Sequence, residues 1–445
     1  MTFQKAPLKF NFQTISSLFI FLLIIVGLTF VVYTSEITYN GLARAKYLPY
    51  FGTGFIALCI QLISLFRYPR AHLQFLLTIY TILISSLLLE VYFVKESKKT
   101  SKYSSEYIRV LDEIRGKGEE AALSYMPILF AEQPTARYPI WGMRNIKTVE
   151  PCNENGFIPV FQSDRYGFNN EDSAWSAASE FDFIILGDSF AQGQCVRQDQ
   201  TVASLLRNEY RLKGVSLGKS GNGPLTSWAA MLEFDIVRPD GTVIWFFYEG
   251  NDMFDILTET QNTYLVTLNE NTPRINLTSK PEIFDEIISS RLKETEERAR
   301  NTSHRHDEIQ ILEFLKFTNL RAKIRDLKEI ISPNLRNYTA IALDRTLSLL
   351  NSANNLAKKR NANFLVVYIP KINRFSQRID QGSYRDRNLV LDYFNKNNIR
   401  YLDLTLLFSQ SSDDVLRDYY PSRGGHLSSN GYSFLAGAIV DKLKK

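Results

Sequence analysis

Residues 14–35 (TISSLFIFLLIIVGLTFVVYTS) contain no charged side chain, a run that a water-soluble fold of modest size has little core to absorb. As one helix it covers the roughly 30 Å of a bilayer's hydrocarbon core. A cleaved secretion signal needs a shorter apolar stretch than this, and more apolar sequence comes directly after it. Residues 47–66 (YLPYFGTGFIALCIQLISLF) and 73–94 (LQFLLTIYTILISSLLLEVYFV) flank a short RYPR turn and carry a single charge, Glu90. Core helices of a soluble domain would carry more charge on their outer faces, so the expectation is an anchor of three transmembrane helices over residues 1–99.

The two sides of such an anchor are unequally charged: Lys5, Lys9, Arg67 and Arg70 face Arg44, Lys46, Lys95, Lys98, Lys99 and Lys102. That count alone slightly favours a cytoplasmic body. The cysteines and the chemistry below suit the outer side, and we expect the extracytoplasmic one.

Beyond the anchor the texture changes to KESKKTSKYSSEY and a mixed helical pattern near 103–125, so residues 100–150 read as a juxtamembrane helical linker. From 151 to 445, short apolar runs alternate with helical patterns. The runs are FDFIIL (181–186), TVIWFFY (242–248), FLVVYIP (364–370) and IRYLDL (399–404), with helices near 339–360 and 386–396. Strands separated by helices imply an α/β domain on a central parallel sheet. The charged, helix-period stretch around 255–335 interrupts this rhythm and reads as a helical insertion with a solvated face. The formal net charge is only +5, and no basic block is interleaved with aromatics, so nucleic acid is not an expected partner.

Of the three cysteines, Cys59 lies in an apolar run, while Cys152 and Cys195 lie in loop-like sequence on either side of residue 189. No C-x-x-C pair offers a zinc or thioredoxin-like motif. Cys152 and Cys195 are open to two readings, a disulfide in an oxidising compartment or two buried thiols.

Four places carry chemistry. In FIILGDSFAQG (183–193) a buried strand ends at Leu186, Gly187 permits a tight turn, and Ser189 opens a helix with its hydroxyl exposed, although a plain helix cap has the same look. VSLGKSGNG (215–223) offers a glycine loop able to bring a backbone N–H to a reacting carbonyl. TVIWFFY runs into EGND (249–252), which sets the Asn251 amide at the carboxyl edge of the sheet, where α/β folds bind ligands. Of four histidines, His72, His304 and His306 fall in the membrane turn and the charged insertion, leaving His426, in the loop RGGH before a terminal amphipathic helix, as the sole base.

These four sites, in this order, resemble the SGNH (GDSL-type) hydrolase superfamily over about residues 180–252 and 420–440. The resemblance implies a three-layer sandwich around the parallel sheet and a serine esterase or acyltransferase. It assigns Ser189 as nucleophile and oxyanion donor, Gly221 and Asn251 as further oxyanion donors, and His426 as general base. The stretch CNENGFIPVFQSDRYGFNN (152–170) also looks like a bacterial subgroup carried on membrane segments, which implies work on acylated glycans of the cell envelope.

Two departures stand out. Glu249 holds the first position of the family's Gly-x-Asn-Asp block, and Arg423 holds the position, three before the histidine, where the family carries its triad aspartate. A backbone carbonyl, a carboxylate such as Asp418 or Asp403, or nothing could take that role; a Ser–His dyad with carbonyl support is the expectation. Asp188, next to the nucleophile, should secure the turn. No metal or organic cofactor is required. The expected substrate is an O-acyl, chiefly O-acetyl, ester of an envelope glycan. The rivals are an acyltransferase fed by a membrane partner and a catalytically inert glycan-binding or scaffold domain.

Overall fold

The computed structural model describes residues 12–33, 44–67, 69–130, 138–234, 237–271, 281–305, 317, 320, 321, 324, 333–375, 385–421 and 425–444. The chain divides into two compact units, Met1–Glu96 with Gln310–Arg325, and Ser97–Ile309 with Asp326–Lys445.

The first unit is helical: α1 (Phe12–Tyr33), α2 (Arg44–Arg67) and the first part of α3 (Pro69–Gly116). Helices α1 and α2 pack together, and the buried Gln61 donates its amide to the Ser17 carbonyl at 2.7 Å, a bond that satisfies a polar group otherwise costly in an apolar setting. Among the described residues, two stretches are long and apolar enough to cross a bilayer, Ile15–Tyr33 with mean hydropathy 2.9 and Leu76–Val94 with 1.9. Among the described residues, the apolar stretch of the expected middle span is Tyr50–Ile63 within α2. Leu18, Leu22 and Leu88 are exposed along these helices, an apolar surface that water does not favour.

The second unit holds two sheets. Strands β1 (Ala121–Leu123), β2 (Lys147–Val149) and β3 (Val160–Gln162) form the smaller one, β1 parallel and β3 antiparallel to β2. The larger sheet is wholly parallel, in the order β5-β4-β6-β7-β8, from β4 (Phe181–Leu186), β5 (Gly214–Ser216), β6 (Val237–Tyr248), β7 (Asn363–Ile369) and β8 (Arg400–Asp403). Register is set by pairs such as Ile184 with both Val215 and Val243, Trp245 with Val366, and Val367 with Leu402.

The connecting helices are α4 (Ser189–Gln192), α5 (Val202–Asn208), α6 (Pro224–Phe234), α7 (Asp252–Glu259), α8 (Thr263–Thr267), α9 (Asp285–Arg305), α10 (Pro333–Lys359), α11 (Arg385–Lys396), α12 (Leu404–Ser411), α13 (Val415–Tyr419) and α14 (Ser429–Leu443). Strand side chains alternate between two cores, as the period of two demands. Ile184, Val243, Trp245 and Val366 join the core under α6, α7, α9 and α10, and Phe183, Ile185, Ile244 and Val367 join the one under α5, α12 and α14. Both faces being covered explains why these strands read as unbroken apolar runs rather than alternating ones. Trp245 is 1% exposed, and truncation of such a side chain to alanine costs about 3–5 kcal/mol.

Residues 100–150 differ from the linker expected of them. Helix α3 ends at Gly116, and the residues after it supply β1, β2 and the fully buried Tyr125, Tyr138 and Trp141. Trp141 packs edge-on against Phe234 and Phe284, so this stretch belongs to the core of the second unit. The described part of the charged stretch around 255–335 is mostly helical, and α9 turns Ile288 and Leu292 inward while Arg300 pairs with Asp112 at the surface.

Candidate active site

Strand β4 lies between β5 and β6, so the chain leaves it to one side and later returns on the other. The strand order reverses there, and the carboxyl ends of the three strands open onto one crevice, the usual ligand position of open parallel sheets. Ser189 follows β4, the Gly221 loop follows β5, and Asn251 follows β6.

The turn after β4 admits only glycine at 187. Its φ is +138°, and an added Cβ would stand 2.9 Å from the Phe246 carbonyl oxygen. Asp188 then caps α4, accepting the Phe190 N–H at 3.0 Å, as expected of a residue that secures the turn. Phe190 is buried between the Tyr248 ring, 4.6 Å away between centroids, and the His426 ring at 5.1 Å.

Ser189 and His426, 237 residues apart, meet: Oγ lies 3.0 Å from Nε2. On the far side of the ring, Nδ1 lies 2.9 Å from Glu154 Oε1, and Glu154 Oε2 accepts the backbone N–H of His426, also at 2.9 Å. An ionised carboxylate can only accept, so Nδ1 carries the proton and Nε2 turns its lone pair to the serine hydroxyl. Burial works against the imidazolium, yet the Glu154 hydrogen bond and charge, with Asp188 and Glu150 beyond, hold the His426 pKa above its ordinary 6.5. Burial likewise pushes Glu154 up, and the hydrogen bonds from His426 and the Gly425 backbone outweigh it, leaving the carboxyl below its usual range.

The dyad expected from the sequence is therefore a hydrogen-bonded line of three, with Glu154 as the missing carboxylate. Asp403 and Asp418 are occupied elsewhere, the first capping α12 and pairing with Arg387, the second bonded to Arg417 and Ser412. Arg423 lies outside the described residues. Glu154 comes from the loop between β2 and β3, closed at its base by the Glu150 N–H to the Pro159 carbonyl at 2.9 Å. Cys152 and Cys195 form a disulfide that ties this loop to the chain just beyond α4, and Asn155 adds a 2.9 Å bond to the Cys195 carbonyl. The sequence signal for Glu154 is that cysteine pair: a bridge from 152 to 195 brings residue 154 near residue 189. The two sulfurs and the Glu154 carboxyl lie within 4.8 Å of one another, a spacing that could hold a metal, but the sulfurs are bonded to each other and the carboxylate to His426.

Gly221 has φ +75°, and its loop is fastened to the turn that carries Ser189. Lys219 N–H reaches the Gly187 carbonyl at 3.2 Å, and Ser220 N–H reaches Gln192 Oε1 at 2.7 Å. Among the described residues, neither the Ser189 nor the Gly221 N–H has an acceptor. Behind the loop, the fully buried Lys219 bonds Ser124 at 3.0 Å, in a network running through Gln192 and Gln194 to Glu150. Burial drives Lys219 down to about 8, opposed by Glu150 and Asp164.

Asn251 caps the start of α7 without bonding that helix's first N–H groups. Its Nδ2 donates to Asp255 at 2.7 Å instead, and the amide is also within hydrogen-bonding reach of Asp188, the neighbour of Ser189. The unexpected Glu249 turns away from the crevice, accepting from Tyr368, the Lys371 N–H and Arg374. A Cβ at Gly250 would meet the Tyr248 ring at 2.3 Å, so any larger residue there would have to displace that ring.

A serine hydroxyl, an imidazole of fixed tautomer and a carboxylate behind it can together form and break an acyl-serine ester. No protein-family model matches the chain, and no curated protein matches it.

Proposed function

We propose that the chain is a membrane-anchored serine esterase of the SGNH type, acting on O-acyl, chiefly O-acetyl, esters of a cell-envelope glycan. The observation that carries this reading is the line Ser189–His426–Glu154, at 3.0 and 2.9 Å. His426 takes the proton of Ser189 as Oγ attacks the ester carbonyl. Glu154 stabilises the imidazolium, which then protonates the departing sugar oxygen, and water or a second hydroxyl releases the acyl group by the reverse steps. The N–H groups of Ser189 and Gly221 and the Asn251 amide receive the oxyanion; loss of one such donor costs about 2.7–4 kcal/mol.

The Cys152–Cys195 disulfide supports an extracytoplasmic body, and Ile15–Tyr33 and Leu76–Val94 support its anchorage. Transfer to a sugar hydroxyl, with acyl groups supplied by a membrane partner, is the alternative outcome of the same acyl-enzyme. An inert scaffold would have no use for a base oriented by its own carboxylate.

The test is release of p-nitrophenol from p-nitrophenyl acetate by the full chain in detergent, beside Ser189→Ala and His426→Ala. Hydrolysis lost in both variants, with a serine-reactive phosphonate labelling Ser189, supports the reading. A folded wild type no faster than its variants overturns it, and stimulation by added sugar separates transfer from hydrolysis.

A further inference from the structure

Gln310–Arg325 groups with Met1–Glu96 and not with the sequence on either side of it, although it is more charged than the helices it joins. Among its described residues, Leu320, Arg321 and Ile324 are helical, and the Arg321 N–H closes a turn on the Phe317 carbonyl at 2.9 Å. The Leu320 N–H, one of the first-turn donors that a helix leaves without an acceptor of its own, donates to Glu90 Oε2 at 2.7 Å. Glu90 is fully buried within the apolar stretch Leu76–Val94 of α3, where a carboxylate is costly unless other groups meet it. Each satisfies a need of the other.

That bond fixes a depth. Glu90 stands four residues before Val94, the end of the apolar stretch, which is about 6 Å along α3 at 1.5 Å per residue. An amphipathic helix lying in a membrane surface sinks its apolar side by about 5–10 Å. Tyr92, 56% exposed, is the kind of aromatic side chain that marks this level, and Lys95, Lys98 and Lys99 come next in the sequence.

The side chains suit the same level. Residues 317, 320, 324, 327 and 331 are all apolar in the sequence, the single-stripe spacing of an amphipathic helix. Gln310–Arg325 carries Lys316, Arg321, Lys323 and Arg325 against Glu313, a balance that draws it to anionic headgroups. Phe317 and Leu320 are half-buried, Arg321 is exposed, and Ile324, one turn beyond Leu320, is 49% exposed. A lone exposed isoleucine is ordinary on a surface that faces water. This one follows a residue pinned a helical turn inside the end of a span, so it meets lipid when that span crosses a bilayer.

We propose that the stretch around Leu320 is a membrane-surface element of the anchor: Phe317, Leu320 and Ile324 enter the boundary between headgroups and acyl chains, Glu90 holds them at that depth, and Arg321 reaches the phosphates of anionic lipid. This rests on the anchorage proposed for Ile15–Tyr33 and Leu76–Val94. The charged insertion is then in part a lipid contact rather than a solvated face throughout.

The test reads depth in nanodiscs of phosphatidylcholine and phosphatidylglycerol, with the full chain carrying one nitroxide at Ile324→Cys, Arg321→Cys or Ile82→Cys. Each is made in a Cys59→Ser background, since Cys152 and Cys195 are bonded to each other and take no label. Collision rates with oxygen, which concentrates in lipid, and with a nickel chelate, which stays in water, give the depth of each label. Ile82, 56% exposed near the middle of Leu76–Val94, shows whether that stretch crosses the bilayer. The label at 324 is expected about 5–10 Å below the phosphates, that at 321 at their level, and that at 82 deepest. A label at 324 open to the nickel chelate, or shielded by protein from both reagents, overturns the proposal when the label at 82 is deep. A label at 82 open to the chelate overturns the anchorage reading instead. Glu90→Leu moves the label at 324 toward water and leaves the label at 82 in place, the sign that the anchor is intact. With the anchor intact, an unmoved label at 324 overturns the assignment of Glu90 as the group that sets the depth.

Discussion

Glu154 grips His426 twice, through Nδ1 of the ring and through the backbone N–H, each at 2.9 Å. The second bond fixes where the histidine's main chain passes, and the first fixes the ring, so the carboxylate sets both orientation and tautomer. On the proposed acyl-transfer chemistry, its removal acts on catalysis more than on binding. Glu154→Gln leaves the shape and invites the wrong tautomer, and kcat falls by roughly 10³–10⁴ with KM little changed. A decrease in kcat of less than about tenfold would mean that the imidazole finds its orientation elsewhere.

On the same proposed chemistry, this contact sets the acid limb of the pH profile. A general base must be unprotonated, and the negative groups facing His426 favour its protonated form, so its pKa is held above 6.5. Activity is low below that raised value and rises as pH passes through it. In Glu154→Gln the supporting charge is gone, and the residual activity reaches half its maximum at lower pH than in the wild type. A kcat/KM profile for each shows the shift; an unchanged or higher midpoint in the variant contradicts the assignment.

Much of the fold is legible in the sequence, for reasons that also explain what is not. FDFIIL, FLVVYIP and the Gly187 turn are local: buried strands have no polar face to show, and a strand-to-helix turn needs its glycine where the sequence has one. The three-residue strands β1 and β2 are too short to display a period, so Trp141 and Tyr138 look like linker residues although they fill a core. Glu154 is hidden differently. A single charged residue in a loop carries no pattern, and only the tertiary closure of Cys152 on Cys195 sets it beside a histidine 272 residues away. The commitment of Asn251 to Asp255 is equally out of reach, being a choice between two nearly identical ends of one amide.

The disulfide is accordingly expected to matter for rate as well as stability. Cys152 and Cys195 are 43 residues apart, and closing a loop of that length stabilises the folded state by up to about 4 kcal/mol on the chain-entropy model. The paired Cys152→Ser and Cys195→Ser substitutions lower stability by about 2–4 kcal/mol in urea unfolding. They also release the Glu154 loop, so kcat falls at temperatures where the variant is still folded. Full kcat in a folded variant would show that the remaining bonds, Asn155 to the Cys195 carbonyl among them, suffice to hold Glu154 in place.

Lys219 offers the sharpest test of what supports the Gly221 loop. It is 1% exposed, and Glu150, equally buried, is its leading counter-charge ahead of Asp164, reached through Ser124 and Gln192. Removing one of two mutually dependent buried charges leaves the other uncompensated, which costs about 3–5 kcal/mol, whereas neutralising both avoids that cost. Lys219→Met and Glu150→Gln should therefore each destabilise strongly, and the double variant should fall short of their sum by about 1–3 kcal/mol. Urea unfolding of the four proteins closes this cycle. Strict additivity would mean that the two charges are held independently, and the Gly221 loop would then owe its place to the Lys219 N–H on Gly187 and the Ser220 N–H on Gln192 rather than to the buried pair.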